Sequence, residues 1–355
     1  MSRLLPLVAL VVAAPLAAAQ TLPITTDSEL ARAHYELGVE GLQNFSMRSQ
    51  DHFDAALEED PDFALARLMR AFAGGDDREE DLGRIARLMP DLSPGERMIV
   101  EAFQAAEDND DLAETRETLG RVVERYPDDT AAIYLLARAQ ESGEAAVEVL
   151  DRALAVDPGF AAAYNLRGYE AMRVGDMAAA ERAFREQVRR NPHLANAWDS
   201  LGEFHLEQGD EEEAERAFYR TLAIEPDFTN ALANLAKIGA ARGDRDVTAA
   251  AEAQDADAMA ALYTADAVMV PPGEAPVVGR DAIRAMFASF FADGDDGVEI
   301  ETVDVFTSGD VAVATRLLTI RNGGRSSRSR NVAVWTQADG EWKIAREVWH
   351  EAPPE

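Results

Sequence analysis

The 355-residue chain contains no cysteine. That excludes disulfides, thiolate metal sites, cysteine nucleophiles and any lipid anchor built on a cysteine. Lysine is nearly absent, with Lys237 and Lys343 the whole set. Arginine supplies the other cations, but acidic residues outnumber them and the formal net charge is −32. A field of that sign repels nucleic acid and anionic membrane surfaces, so neither is expected as a partner. The acidity fits two readings equally: adaptation to a salty medium, or a well-solvated surface. The five histidines, His34, His52, His193, His205 and His350, are scattered, without H-E-x-x-H spacing or an i, i+4 pair. No metal site and no cofactor is therefore expected. The aspartate-rich runs at 108–111 and 293–296 lack a full calcium loop and its closing glutamate, and read as exposed turns.

Long apolar runs are also missing after residue 19. Residues 1–19, MSRLLPLVALVVAAPLAAA, hold Arg3, an apolar stretch broken by Pro15, and Ala17-Ala18-Ala19. These are the charged region, apolar region and A-x-A site of a secretory signal. The expectation is a cut after Ala19, leaving Gln20 at the mature N-terminus; an uncleaved anchor is the other reading. The mature chain is expected to be exported, to a bacterial periplasm or beyond, with residues 20–27 as a short linker. Asn44-Phe45-Ser46 matches a glycosylation sequon, which carries little weight in a chain expected to be bacterial.

What is present is a repeat. Residues 195–228 read ANAWDSLGEFHLEQGDEEEAERAFYRTLAIEPDF. Trp198, Leu201, Gly202 and His205 fall at W-x2-L-G-x2-Y spacing, and Ala214, Phe218 and Pro226 follow at A-x3-F and Pro. The spacing has a physical cause. Trp198 and Leu201 sit on the buried face of a first helix. Small Gly202 and Ala214 let a second helix close on it, Phe218 fills the remaining gap, and Pro226, lacking an N–H, ends the pair. This resembles the tetratricopeptide repeat (TPR), whose period is about 34 residues. Residues 161–194 repeat it through Tyr164, Gly168, Ala180, Phe184 and Pro192. Residues 127–160 carry Ala146, Leu150, Ala153 and Pro158 in register behind a compressed first helix. Leu119, Val122 and Pro127 close an earlier unit, and Phe53, Ala56 and Pro61 the first, with a degenerate helix pair over 62–90. About six units are expected over 28–243, starting from the N-cap Ser28. Residues 230–242 read as one more first helix, ending at Gly243, without its second helix.

After residue 243 the pattern changes. Residues 246–263 are alanine-rich and helical. A short strand, a Pro-Pro-Gly turn and a helix near Gly279-Arg280-Asp281 follow. Four strand-like runs come last, at 298–305, 311–321, 329–337 and 341–350, separated by turns at 308–310, 322–324 and 338–340. Helices followed by an antiparallel meander make an α+β domain. The run DADAMAALYTADAVMVPPGEAPVVGRDAIRAMF with the closing DGEWKIAREVWHE resembles the SnoaL-like superfamily. That resemblance implies the cone shared by nuclear transport factor two, ketosteroid isomerase and the association domain of calmodulin-dependent kinase. The expected fold is thus multidomain: an all-α TPR solenoid, then an α+β SnoaL-like cone with a curved antiparallel sheet over 244–355. The cone's first helix is expected to stand in for the missing second helix of the last repeat, giving a rigid junction.

Each resemblance implies a site. For the cone it is a pocket between sheet and helices, walled by Tyr263, Met269, Phe287 and Trp335, with Arg346 and His350 as polar candidates. The last two are expected on the same face of the final strand as Trp342, because i, i+2 residues share a face. The competing reading makes the aromatics core and the polar groups solvated. A steroid isomerase of this fold has an aspartate base where this chain has Pro271, and proline takes no proton. Glu347 and His350 are the nearest other acid–base candidates. For the repeats, the implied site is a concave groove with Asn165, Tyr169, Arg173, Asp199, Glu203, Asn234 and Lys237. Asp199 and Glu203 stand where a carboxylate clamp would carry basic or amide groups, so the groove suits a basic or neutral peptide, with Tyr169 as an anchor. Arg321, Arg325, Arg328 and Arg330 form a basic cluster around the Asn322-Gly323-Gly324 turn, read as a solvated hairpin or a dock for an anion.

The expected function is an exported, non-catalytic interaction scaffold. The repeats bind a protein or peptide, and the cone binds a small ligand or dimerises. The alternative is a SnoaL-like enzyme of isomerase, cyclase or hydrolase type, with the repeats recruiting substrate. A buried, hydrogen-bonded charge pair in the pocket speaks for the enzyme, and an exposed apolar sheet face for a dimer module.

Overall fold

The computed structural model describes residues 20–46, 48–74, 77–108, 112–292, 297–308, 311–322, 325–338 and 340–351. The signal-sequence expectation for 1–19 lies outside these residues, as do most of the two aspartate-rich runs and the tips of the three hairpin turns. By compactness the chain divides into Met1–Ala180 and Glu181–Glu355. Among the described residues no helix is long and apolar enough to cross a membrane.

From Glu29 onward the regular elements of the first unit, among the described residues, are helices. Its helices are α1 (Glu29–Gln43), α2 (Ser49–Glu59), α3 (Ala64–Phe72), α4 (Arg78–Leu88), α5 (Pro94–Asp108), α6 (Ala113–Arg125), α7 (Thr130–Arg138), α8 (Gly143–Val156) and α9 (Ala161–Arg173). α10 (Met177–Arg190) carries the division between the units. The N-cap expected at Ser28 forms, its side chain accepting from the Ala31 N–H at 3.1 Å. Asp129 and Ser142 cap α7 and α8 in the same way. Helix α7 is short, as the compressed pattern implies. Asn44 of the sequon is buried at the end of α1 and donates to the Glu40 carbonyl at 2.8 Å, so its amide is already engaged.

One close contact explains the repeat's glycine. A Cβ on Gly38 would lie 2.5 Å from the Phe53 ring, and one on Gly202 would lie 2.6 Å from the Phe218 ring. The bare backbone is what allows the two helices of a pair to meet over a phenylalanine. A second rule joins repeats at their entry. Tyr164 donates to the carbonyl of Pro158 at 3.2 Å, and Trp198 to that of Pro192 at 2.9 Å. In the degenerate pair, Arg67 reaches the carbonyl of Pro61 at 2.9 Å from the same relative position. The aromatic slot therefore serves a backbone acceptor as well as the core, and Trp198 stays half-buried.

The second unit continues with α11 (Ala195–Glu207), α12 (Glu211–Ile224), α13 (Thr229–Glu252), α14 (Ala256–Ala261) and α15 (Arg280–Ala292). Its strands are β1 (Tyr263–Val270), β2 (Val277–Val278), β3 (Gly297–Ser308), β4 (Val311–Asn322), β5 (Arg325–Ala338) and β6 (Glu341–Glu351), in the order β2-β1-β6-β5-β4-β3. The meander β3 to β6 is antiparallel, as expected. The joint between β1 and β6 is parallel, which makes the sheet mixed.

The stop expected at Gly243 does not occur. α13 runs 24 residues through it, first against the repeat helix α12 and then across β3, β4 and β6. Gly243 is not a terminator but a clearance: a Cβ there would lie 2.3 Å from the indole of Trp335, and one on Gly239 would lie 2.1 Å from that of Trp342. One helix is thus both the last repeat's first helix and the cover of the sheet. Ala236, Ala240, Val247, Ala250 and Ala251 form its buried stripe in the same core as Trp335 and Ile344.

Gly243→Ala tests this clearance. Alanine gains up to about 1 kcal/mol of helix propensity, but overpacking costs about 1–3 kcal/mol, and fully buried Trp335 has nowhere to move. The expected result is a lower melting temperature by circular dichroism, recovered when Trp335→Phe is added.

Candidate functional site

In the last strand a one-residue bulge decides which side chains face inward. Trp335 on β5 pairs with Ile344, but Val334 pairs with Arg346, so Ala345 is an extra residue. Before it Ile344 points to the core; after it Glu347 does. The expected common face of Trp342, Arg346 and His350 is therefore broken. Arg346 and His350 are exposed on the outer face, and Arg346 donates only to backbone carbonyls, of Asp266 and Ala345. Of the other expected pocket residues, Tyr263, Met269 and Trp335 are buried inside the cone, and Phe287 stacks beside Phe291 on α15.

The charge that enters is on β4. Ala312, Ala314, Arg316 and Leu318 alternate inward, and Arg316 is buried. Its guanidinium donates to Asp244 on α13 at 2.7 Å, to Asn331 on β5 at 2.8 Å, and to Glu347 on β6 through a very short bond. Asn331 also donates to Glu347 at 2.7 Å, and the Tyr263 hydroxyl donates to the other Glu347 oxygen at 2.6 Å. Thr302 on β3 closes the set by a short bond to Asp244. Burial works against the Arg316 charge, but Glu347 and Asp244 outweigh it and raise its pKa. Burial, then the Glu347 charge, lifts the Tyr263 phenol well above its usual value, so it stays a neutral donor.

Little space remains beside this network. The cavity bounded by Tyr263, Phe287, Arg316, Glu347 and Trp349 measures about 20 Å³. That admits about one water, whereas small-molecule sites run to about 300–1,000 Å³. The pocket expected from the resemblance is filled by its own side chains.

The repeat-face residues fall in both units. In the first, Asn165 is buried, Tyr169 is half-buried, and exposed Arg173 pairs with Glu170 on its own helix at 2.7 Å. In the second, α11 and α13 hold the other four. Asn234 is buried and Lys237 exposed. Asp199 is only 3 % exposed. The Asn230 amide, not foreseen from sequence, bridges the two acids, donating to Asp199 at 2.7 Å and to Glu203 at 2.8 Å. The second Asp199 oxygen is buried and accepts no hydrogen bond. Burial chiefly, with the Glu203 charge, pushes Asp199 up to about 7, against the pull of Asn230. The raised acid thus lies beneath this face, and half-buried Glu203 is the one of the two nearer the surface.

Asp244, Arg316 and Asn331 were missed in the sequence, although a signal exists. Arg316 lies in strict alternation with Ala312, Ala314 and Leu318, and Asn331 with Ala333 and Trp335. A polar residue at an inward position of an apolar strand marks a buried network.

Comparison with known families agrees with this architecture. Tetratricopeptide-repeat models match residues 161–194 and 195–238, and a SnoaL-like domain model matches 245–346. The chain carries two TPR repeats followed by a SnoaL-like domain. Among solved structures, MamA is 20% identical over 44% of this chain and 88% of its own, with a TM-score of 0.36. An NTF2-like protein with a cystatin-like fold from Novosphingobium aromaticivorans is 21% identical over 37% and 94%, at 0.31. A domain of unknown function with a cystatin-like fold from Nostoc punctiforme is 20% identical over 32% and 75%, at 0.30. Likeness at that level says nothing about activity. No curated protein matches the chain.

The Asp199 environment has a measurable consequence. Its carboxyl, at 3.8 when unfolded and about 7 when folded, holds its proton more tightly in the native state. The stability it contributes is full below about pH 4 and is lost as pH rises toward 7. Urea unfolding should therefore show Asp199→Asn gaining on the wild type between pH 4 and 7, then levelling off. A difference independent of pH would refute the buried acid.

Proposed function

We propose that the chain is an exported, non-catalytic interaction scaffold whose repeats take a basic or neutral peptide. One observation carries the non-catalytic part. Among the described residues the buried charges Asp244, Arg316 and Glu347 are paired with one another, and the cavity beside them measures about 20 Å³. The buried charge pair that an enzyme would need is present, but it is committed: Arg316 serves three acceptors and Glu347 accepts from three donors. Tetratricopeptide repeats support protein binding in general. Half-buried Glu203, with the Asp199 carboxyl buried beside it, supports a preference for cationic side chains, since an arriving cation favours the charged acids. Export follows from the reading of residues 1–19 as a signal. Binding of labelled Arg/Lys-rich peptides, compared with acidic ones of equal length, tests the peptide preference. The chain from Gln20 onward should retain the basic set, and Glu203→Arg should weaken it about tenfold or more. Equal retention of acidic and basic peptides would sink the reading.

A second role is supported by the sheet's outer face. Val332 and Val348 pair across β5 and β6 and are exposed, and Phe306 on the edge strand is 71 % exposed. Exposed acids, Glu301 and Asp304, line β3, while exposed Arg330 and Arg346 lie on β5 and β6. A second copy turned about a two-fold axis sets the acids of one face against the arginines of the other. We therefore assign this face to a homodimer. Sedimentation at tens of micromolar should give a dimer for the parent chain and a monomer for Val332→Arg with Val348→Arg, with unchanged circular dichroism. A parent chain that sediments as a monomer would remove the dimer.

A further inference from the structure

Residues 20–27, expected as a linker, are not loose. They run extended along the first unit with an alternating pattern: Leu22, Ile24 and Thr26 are half-buried, while Thr21, Pro23 and Thr25 are exposed. Leu22 and Ile24 pack against that unit's core. Leu22 has a prepared seat. A Cβ on Gly95 would lie 2.6 Å from the Tyr126 ring and 3.0 Å from the Leu22 side chain, so only glycine leaves room for both.

The polar contacts come from three successive joints between helix pairs. At the joint before α3, Asp60 accepts from the Thr26 hydroxyl at 2.7 Å. At the joint before α5, Glu96 accepts from the Thr25 N–H at 2.6 Å and from its hydroxyl by a very short bond. Ser93 there donates to the Pro23 carbonyl at 3.4 Å. At the joint before α7, Asp129 accepts from the Leu22 N–H at 3.0 Å, and Asp128 exchanges bonds with the backbone of Gln20 at 2.8 and 3.2 Å. Glu96 is fully buried and forms a capping box with Ser93, accepting from the Ser93 N–H at 2.9 Å. Without Thr25 this buried carboxylate loses two donors, which is costly in a low-dielectric interior. No side chain from Gln20 to Thr26 is charged. It is recognised through backbone N–H groups and hydroxyls, as an extended ligand is.

We propose that these three joints form a peptide-binding track for an extended, uncharged segment with aliphatic residues at alternate positions and paired hydroxyl residues after them. Its resident ligand is residues 20–27 of this chain. The track is separate from the Asp199–Glu203 face and stands or falls independently of it. Tethering gives the resident a high effective concentration, so a free copy enters only when the resident is disabled.

The test uses the full chain from Gln20 with Leu22→Asp, Ile24→Asp and Thr25→Val, which disable the resident without shortening it. A labelled synthetic peptide of sequence QTLPITTD is titrated against this variant and against the parent. The expected result is saturable one-to-one binding to the variant, at least about tenfold tighter than to the parent, with a Thr25→Val peptide about fivefold weaker or more. No saturable binding to a folded variant, or equal binding to the parent, overturns the proposal. Hydrogen exchange on the unchanged chain covers a variant that fails to fold. The Leu22 and Thr25 amides should exchange about a hundredfold slower than in the free peptide, and Glu96→Gln should speed Thr25. Unprotected amides in the parent chain overturn the proposal equally.

Discussion

The second unit is organised around one buried guanidinium. Arg316 sits under α13 with Asp244, Asn331 and Glu347 on its donors. A lone charge there would carry a desolvation penalty of several kcal/mol. The chain meets it by recruiting one acid from the helix, one from the last strand and an amide from the strand between them. Three strands and a helix must therefore be in register before the charge is tolerable. A buried ion pair is weak evidence for net stability; what these bonds do in the fold is tie α13 to β4, β5 and β6.

That constraint explains why the cone's interior is closed. Glu347 and Tyr263 would be plausible proton-handling groups if they were free, but Arg316 and Asn331 hold the carboxylate and the carboxylate holds the phenol. The aromatic residues of α15 and the indole of Trp349 fill what remains.

Most of the architecture was legible in the sequence because it rests on periodicity. Gly202 and Phe218 are spaced to meet, and the strand runs alternate, so repeats and meander could both be placed. Two features were hidden for physical reasons. Gly243 looked like a helix stop, because glycine is an ordinary C-terminal signal; only the position of Trp335 shows it to be a clearance inside a continuous helix. Ala345 looked like one more strand residue, because a bulge has no composition of its own. It moved Arg346 and His350 outward and brought Glu347 in. Arg316 was legible in principle, as a charge in phase with inward alanines. Its partner Asp244 was not, since it directly follows the apparent stop at Gly243 and only the continuous helix α13 brings it over the sheet. Residues 20–27 carried no periodic signal long enough to read.

The sharing of α13 bears on what counts as a module here. The SnoaL-like match begins at residue 245, one position after the aspartate that neutralises Arg316 and two after the glycine that admits Trp335. The edge recognisable by sequence kinship and the edge that is mechanically separable do not coincide. A cone excised at its family border would lose one of the two carboxylates that hold Arg316. Any recombination that shuffles such domains would have to carry the preceding repeat helix with it as part of the inheritance.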